Sequence, residues 1–416
     1  MTSFLKRLLI LPLSILLLLT SFVFSLLIYR KKIYSAHFSY KYFGHSAIEP
    51  AIASSFVTSN NIKFFSSHSR YTAGDNLFLY NISRTLFPDS IIPLCLIHHI
   101  FNNSFPLLRH LISNYYSPLF PKRVDREIYY LPYLATNLDF PWRSHVKEKL
   151  NNPISLKEDP SDLPILFACR PSHFHSNSAE VSSQDYRNLE SSELVYFLRS
   201  VLHKDQAVSF IIYSSNITIA FLRNLLPAYH DRIEYVDEAT HDVIPLFMRS
   251  RLLVNNGNGI GAFAYSLGFP TLYIKHSPYQ SWHSSHLNAV AIPPIYSSSA
   301  TTLFDFLNSL ELAFSSSSIL PYDFDSIYSS RGISILPLTH YPSYIFTDSI
   351  LQAFKLNSHF LTFRHSDSFL QQFVNTSSNT LFWTTFCRLA PERVRSWHSK
   401  HYLTISFSFL QHFSCN

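Results

Sequence analysis

Glycine is nearly missing from this chain: seven residues in 416, where ordinary usage of ~7% would supply about 29. A chain that avoids glycine keeps it where a side chain cannot be tolerated, so the few that remain are informative. Charge is scarce as well. Charged residues make up 14%, low for a freely soluble protein. Cysteine is limited to Cys95, Cys169, Cys387 and Cys415, with no CxxC spacing, so neither a zinc site nor a small disulfide framework is indicated. That usage fits a reducing compartment, and Cys169, inside an apolar run, reads as a core residue. No Lys/Arg tract is interleaved with aromatics, so no nucleic-acid partner is expected.

Hydrophobic residues, in contrast, reach 47%, enough for sizeable cores, and the length suits two packed domains. The formal charge of +6 suits a partner carrying phosphate, lipid or nucleotide, although a mild basic excess by itself names none. Leu8–Tyr29 are 22 positions without a charge, about 33 Å of helix against a hydrocarbon core of about 30 Å. Lys6 and Arg7 flank one end and Arg30, Lys31 and Lys32 the other. A cleaved signal peptide would have a shorter apolar region followed by small residues. The run therefore reads as a single uncleaved membrane anchor, with the lipid bilayer as a partner. The excess of basic residues after it places the large C-terminal part on the cytoplasmic side.

The rest of the chain reads as mixed α/β. Residues 1–34 are the anchor segment. Residues 35–150 form an N-terminal α/β domain with a strand at Ile62–Phe65 and a helix at Asp75–Leu86. Residues 151–162, polar and with two prolines, are a linker. Residues 163–330 form a second domain. There, strands at Leu163–Cys169, Ala207–Tyr213, Arg232–Val236, Arg251–Asn255 and Thr271–Lys275 alternate with helices. The helices are Ser191–His203, Ile217–Tyr229, His241–Ser250 and Ile260–Leu267. Such alternation implies βαβ units and a parallel sheet. Residues 331–416 read as a mostly helical C-terminal segment.

Four of the seven glycines fall within twelve residues, Gly257, Gly259, Gly261 and Gly268. The segment VNNGNGIGAFAYSLGFP follows a strand and opens a helix. Glycines there permit positive φ and let N–H groups approach an anion at a helix N-terminus; the plain alternative is a tight strand-to-helix turn. It is not a Walker loop, because no GK[ST] follows, and it lacks the GxGxxG spacing after a first strand. The first strand of the same domain ends at Arg170, where a parallel sheet presents ligand groups. Arg187 and Asn188 precede the next helix. Two guanidinium groups near one strand end suit a diphosphate; for Arg187 a surface salt bridge is an equal reading. Asp237, at a strand end, suits a ribose or sugar hydroxyl. Asp242 reads first as a helix N-cap and second as a donor-site residue. His173 and His175 lack further ligands, so no metal is expected.

These segments resemble a family of bacterial glycosyltransferases found with surface-polysaccharide genes. The likeness starts at GHSAIEP (44–50), runs through ACR…YRN (168–188), YVDEA…HDV (235–243) and the Gly-rich turn, and returns in SRGISILP, FLTFRHSD and ISFSFLQHF. It implies a GT-B-like arrangement of two Rossmann-like domains with the donor held by the second. It implies no cofactor and no metal, the nucleotide-sugar being a substrate. Arg170, Arg187, Asn188, Asp237, Asp242, Gly257, Asn258, Gly259 and Gly261 would form the donor site. His45 and Glu49 would face the cleft from the first domain, one of them deprotonating an acceptor hydroxyl; the other reading of His45 is a structural turn histidine beside Gly44. One departure stands out: the family has Ser-Gly in the turn, and here the pair is Asn258–Gly259.

The reading is a membrane-anchored glycosyltransferase moving a sugar from a nucleotide-sugar donor to a surface-polysaccharide or lipid-linked glycan acceptor. Its rival is a catalytically silent, membrane-tethered glycan-binding or assembly protein of the same fold. A serine hydrolase fits badly, since GHSAI lacks the second glycine of GxSxG and no Ser-centred elbow occurs elsewhere.

Overall fold

A computed structural model describes residues 33–38, 40, 43–60, 64–68, 71, 76–88, 116–118, 141–149, 163–170, 188–275, 289–292, 296–298, 333–354 and 364–365. The chain divides into two compact units. One comprises Met1–Tyr133 and Asp139–Asn151, the other Leu134–Leu138 and Asn152–Asn416. Leu8–Tyr29 and the 151–162 segment lie outside the described residues. Among the described residues no helix is long and apolar enough to cross a membrane.

The first unit holds a three-stranded parallel sheet in the order β2-β1-β3, with β1 at Ile33–Phe38, β2 at Phe64–His68 and β3 at Tyr116–Pro118. Helix α1, Phe43–Asn60, leaves β1 almost at once. It buries Ala47, Ile48, Ala51 and Ile52, small and apolar residues that let a helix lie close to its neighbours. Pro50 sits inside it, where its ring removes one helical N–H. Helix α2, Leu77–Leu86, begins where the Asn76 side chain accepts from Leu79 N at 3.0 Å, an N-cap that satisfies an otherwise orphaned amide. Helix α3, Pro141–Lys149, contributes the fully buried Trp142, whose backbone N donates to Ser54 Oγ.

In the second unit a seven-stranded sheet runs β12-β9-β8-β7-β4-β5-β6, every pair parallel. Its strands are β4 (Ile165–Phe167), β5 (Phe210–Ser214), β6 (Ile233–Asp237), β7 (Leu252–Asn255), β8 (Thr271–Ile274), β9 (Ala289–Ile292) and β12 (Arg364–His365). A separate antiparallel pair joins β10 (Tyr296–Ser298) to β11 (Ile333–Ile335). The central strands β4 and β7 are buried throughout, as strands covered on both faces must be. The chain winds outward from β4 through β5 to β6, then returns to β7 and winds the other way. The order therefore reverses between β4 and β7, the place where doubly wound sheets open a crevice for ligands.

Local chemistry explains the helix ends. Helix α4, Ser191–Lys204, starts with a capping box in which Glu190 and Glu193 satisfy each other's backbone, an arrangement that closes two orphan donors. Ser215 caps α5, Asn216–Leu225. Pro227 then opens a 3-10 turn to Arg232 rather than letting α5 run on to Tyr229. The expected helix at His241–Ser250 shrinks to α6, Ile244–Phe247, because the Asp242 side chain takes Ile244 N in a turn. Helix α7, Gly259–Leu267, ends at Gly268 in the left-handed conformation, φ 66°, the usual role of glycine at that position.

Of the C-terminal segment, expected to be mostly helical, residues 333–354 and 364–365 are described. It supplies strands β11 and β12 beside a 3-10 turn at Leu338–His340 and helix α8, Ser343–Phe354. Ile345, Phe346 and Ile350 join the core of the second unit with Phe197, Leu198 and Val201 of α4.

Candidate functional site

The reversal point is stitched by asparagine side chains. Asn255 closes β7, and its Nδ2 donates to Ala168 O just past β4, at 2.7 Å. Asn258 Nδ2 donates to the same carbonyl at 2.9 Å. Asn256 holds both backbone groups of Arg170: its Oδ1 accepts from Arg170 N at 2.9 Å and its Nδ2 donates to Arg170 O at 3.2 Å. The structure thus brings Arg170 to the Gly-rich turn, although 86 residues separate it from Asn256.

The same side chains occupy the turn's own amides. Asn255 Oδ1 accepts from Gly257 N at 2.7 Å and Asn258 N at 3.0 Å. Asn258 Oδ1 accepts from Ile260 N at 2.9 Å and Gly261 N at 3.3 Å. Asn258 is thereby the N-cap of α7. The Asn258 side chain thereby takes amide donors that the first turn of α7 would otherwise leave without an intrahelical partner.

The glycines divide by cause. Gly257 has φ 82°, which a side chain would strain. Gly261 answers a packing demand: a Cβ there would stand 2.7 Å from Asn255 Oδ1 and 3.1 Å from the Tyr273 ring. Tyr273 OH also donates to Gly261 O at 3.2 Å, so the helix lies directly on the sheet.

Arg170 is buried, 6% exposed, and Asn188 is buried beside it, with Leu189 N donating to Arg170 O at 3.0 Å. Arg187 lies outside the described residues. Asp237 ends β6, where its carboxylate accepts from Asn216 Nδ2 at 2.7 Å and Ala239 N at 3.1 Å. It stands with Glu238 and Asp242 around Tyr213, whose hydroxyl burial and these carboxylates push well above the usual tyrosine range. Glu238 is itself raised, by burial first and Asp237 second. Asp237 thus lies at the end of the edge strand of the sheet, with β5 and β4 between it and β7.

In the first unit, His45 and Glu49 stand one helical turn apart at the start of α1. His45 Nδ1 is 3.3 Å from Glu49 Oε1, the imidazole 32% exposed and the carboxylate 0%. His45 therefore belongs to the first turn of a helix, not to a free-standing turn beside Gly44. Close by, His68 Nε2 is 2.6 Å from the Phe87 carbonyl, so that nitrogen carries the proton. Nδ1 then accepts from Tyr40 OH. Burial holds the Tyr40 phenol above its usual range, and Glu49 adds to that shift. Tyr40 and His68 belong to no sequence motif, and their contact spans 28 residues.

A second long-range pair lies in the other unit. Lys275 Nζ donates to Glu193 Oε1 at 2.9 Å, with side-chain exposures of 8% and 1%. Lys275 has φ 52°, a strained value for a side chain of this length. The same carboxylate accepts from Leu338 N at 2.7 Å and, through Oε2, from Glu190 N at 2.8 Å. The ion pair ties the end of β8 to the start of α4.

The sequence matches no protein-family model and no curated protein. Its structure is similar to the glycosyl transferase family 9 protein from Veillonella parvula, at 9% identity and TM-score 0.41, covering 78% of this chain and 97% of that one. It is also similar to UDP-GlcNAc 2-epimerase from Neisseria meningitidis bound to UDP-GlcNAc, at 11% identity and TM-score 0.36, covering 79% and 95%. The E. coli ADP-heptose lipopolysaccharide heptosyltransferase II is similar at 12% identity and TM-score 0.35, covering 64% of this chain and 90% of that one.

Proposed function

We propose that this chain is a glycosyltransferase that moves a sugar from a nucleotide-sugar donor to a surface-polysaccharide or lipid-linked glycan acceptor. The observation that carries the reading is the convergence of Arg170 and the Gly257–Gly261 turn at the reversal point of the seven-stranded sheet. In the reaction an acceptor oxygen bonds to the anomeric carbon. The bond from that carbon to the diphosphate oxygen breaks, and its electron pair leaves with the nucleoside diphosphate. Arg170 and the N-terminus of α7 offset the charge that develops there. His45, the exposed member of its pair, takes the acceptor proton, while Glu49 behind it holds the ring. Leu8–Tyr29 would tether the enzyme near a membrane-borne acceptor, with the catalytic part on the cytoplasmic side.

One observation favours the rival, a silent tethered glycan-binding or assembly protein. The amides that would receive a phosphate already donate to Asn255 and Asn258. A panel of UDP, GDP, CMP and their sugars, scored by thermal shift on the purified full chain, separates the two. A donor raises the midpoint in proportion to its occupancy. Turnover of the stabilising sugar, abolished in His45→Ala with donor binding intact, is the expected result. A folded chain that no nucleotide stabilises belongs to the silent class.

A further inference from the structure

One face of helix α4 borders a groove that lies away from the reversal point of the sheet. Tyr196, Arg199, His203 and Lys204 recur at helical spacing and so share that face. With Tyr229 of the 3-10 turn and Ser343 at the start of α8 they line a space of about 660 Å³, the size of a small-ligand site. Helix α4 leaves the Arg170 end of the sheet, where Leu189 N donates to Arg170 O, and runs toward the amino end of β5. Arg199 to Lys204 therefore lie about 12–20 Å along its axis from Ser191, at 1.5 Å per residue.

The groove is basic. No carboxylate lines it, and among the described residues none pairs with Arg199 or His203. Arg199 gives one N–H to the Leu225 carbonyl at 3.0 Å, a neutral partner that does not cancel the guanidinium charge. Lys204 stands 3.5 Å from Asp348, with side-chain exposures of 50% and 41%. Such an exposed pair is weak, and the ammonium is free to turn toward another anion. The C-terminal end of α4 would repel an anion through its dipole. Arg232 offsets that end by donating to Leu202 O, to Asp205 O at 2.8 Å and to Val208 O at 3.3 Å. The carboxylates nearest in the chain are engaged: Asp205 accepts from Ala207 N, and Asp231 lies 2.8 Å from His230.

The aromatic rings are held in place. Tyr196 OH donates to Tyr341 O at 2.7 Å, and its ring meets Phe346 edge-on. Tyr229 packs against the core and has the Arg232 guanidinium 5.4 Å from its ring centre. Side chains ordered before binding lose little freedom on it. Fixed rings, a hydroxyl and cations together suit a sugar that carries an oxyanion. The C–H face of the sugar packs on a ring whose own face is negative, a sugar hydroxyl pairs with Ser343, and the oxyanion takes the Arg199 donors. We propose that this groove binds an anionic sugar, carboxylated or phosphorylated, at a site separate from the reversal point. The site requires no transfer chemistry, so it stands equally for an active and a silent chain.

Carbethoxylation of His203 by diethyl pyrocarbonate, followed by peptide mass mapping of the purified full chain, tests this. Trigalacturonate supplies the carboxylate and glucose 6-phosphate the phosphate. At least one should slow modification of His203 several-fold, and the one that acts at the lower concentration identifies the charged group. Neutral maltotriose should not protect, and raised salt should weaken the protection. Arg199→Gln with Lys204→Gln should abolish it while the thermal midpoint stays near that of the wild type, since both side chains are exposed. Failure of both anionic sugars to protect the wild-type chain overturns the proposal, whatever the variant does. So does equal protection by maltotriose, by inorganic phosphate at the same concentration, or by UDP. Protection that survives in a folded double variant overturns it as well.

Discussion

Asn255 Oδ1 lies 2.7 Å from the point at which a Cβ on Gly261 would stand. Real carbon atoms do not approach so closely, so Gly261→Ala must push Asn255 away from Ala168 O, Gly257 N and Asn258 N, its partners across the reversal point. The substitution should cost about 1–3 kcal/mol, the range for overpacking a tight interior. Gly259→Ala in the same helix is the control, since Gly259 has no positive φ. A urea midpoint for Gly261→Ala no lower than that of Gly259→Ala would show that the turn adjusts freely.

Asn258 raises an opposite expectation for stability and binding. Asn258→Ala removes the cap of α7 and should destabilise by about 0.5–2 kcal/mol. It also releases Ile260 N and Gly261 N from Asn258 Oδ1. If these amides receive the donor phosphates, nucleoside diphosphate affinity should rise while the apo melting temperature falls. Calorimetric titration distinguishes the outcomes, and unchanged affinity would remove those amides from the donor site.

Arg170→Ala should weaken nucleoside diphosphate binding more than tenfold, about 1.4 kcal/mol. The backbone of residue 170 is held by Asn256 and should stay in place. Wild-type affinity in a folded variant would take Arg170 out of the site.

How much of this was legible in the sequence depends on the range of the signal. Buried strands such as Leu252–Asn255 announce themselves as apolar runs between polar turns, and α4 by its helical spacing. From the sequence Gly261 reads as a ligand contact; its packing demand comes from Asn255 and from Tyr273, a residue on the next strand. An asparagine at 258 is visible in the sequence, whereas its capping of α7 depends on side-chain reach. Lys275 and Glu193, 82 residues apart, leave no local pattern, and neither does the Tyr40–His68 contact. The apolar stretch around α6 predicts a longer helix because it does not show that Asp242 turns the chain at Ile244.

Cys169 should be inert while the protein is folded. Burial holds its thiol well above the usual cysteine range, and its Sγ donates weakly to Val254 O at 3.7 Å. A raised value keeps the thiol protonated as pH climbs through the range where ordinary cysteines ionise, and only the thiolate is a good nucleophile. Peptide mapping after alkylation at pH 9 should find Cys169 unmodified in native protein and modified in urea. Native modification would mean that β4 opens on the labelling timescale.

The Glu193–Lys275 pair should show strong coupling. Glu193 accepts from Lys275 Nζ, Leu338 N and Glu190 N, so its charge is balanced by one cation and two amides. Glu193→Gln keeps the shape but leaves the Lys275 ammonium buried without its counter-ion, at a cost of about 3–5 kcal/mol. Lys275→Met should cost less, because the two amides still satisfy the remaining carboxylate. The double variant removes both charges and should be more stable than the sum of the single losses implies. The left-handed backbone at Lys275 persists in both 275 variants, so it cancels from the comparison. Denaturant unfolding of the four proteins gives the coupling directly; an interaction energy below about 0.5 kcal/mol would mean that the pair only neighbours the junction of β8 and α4 and does not hold it.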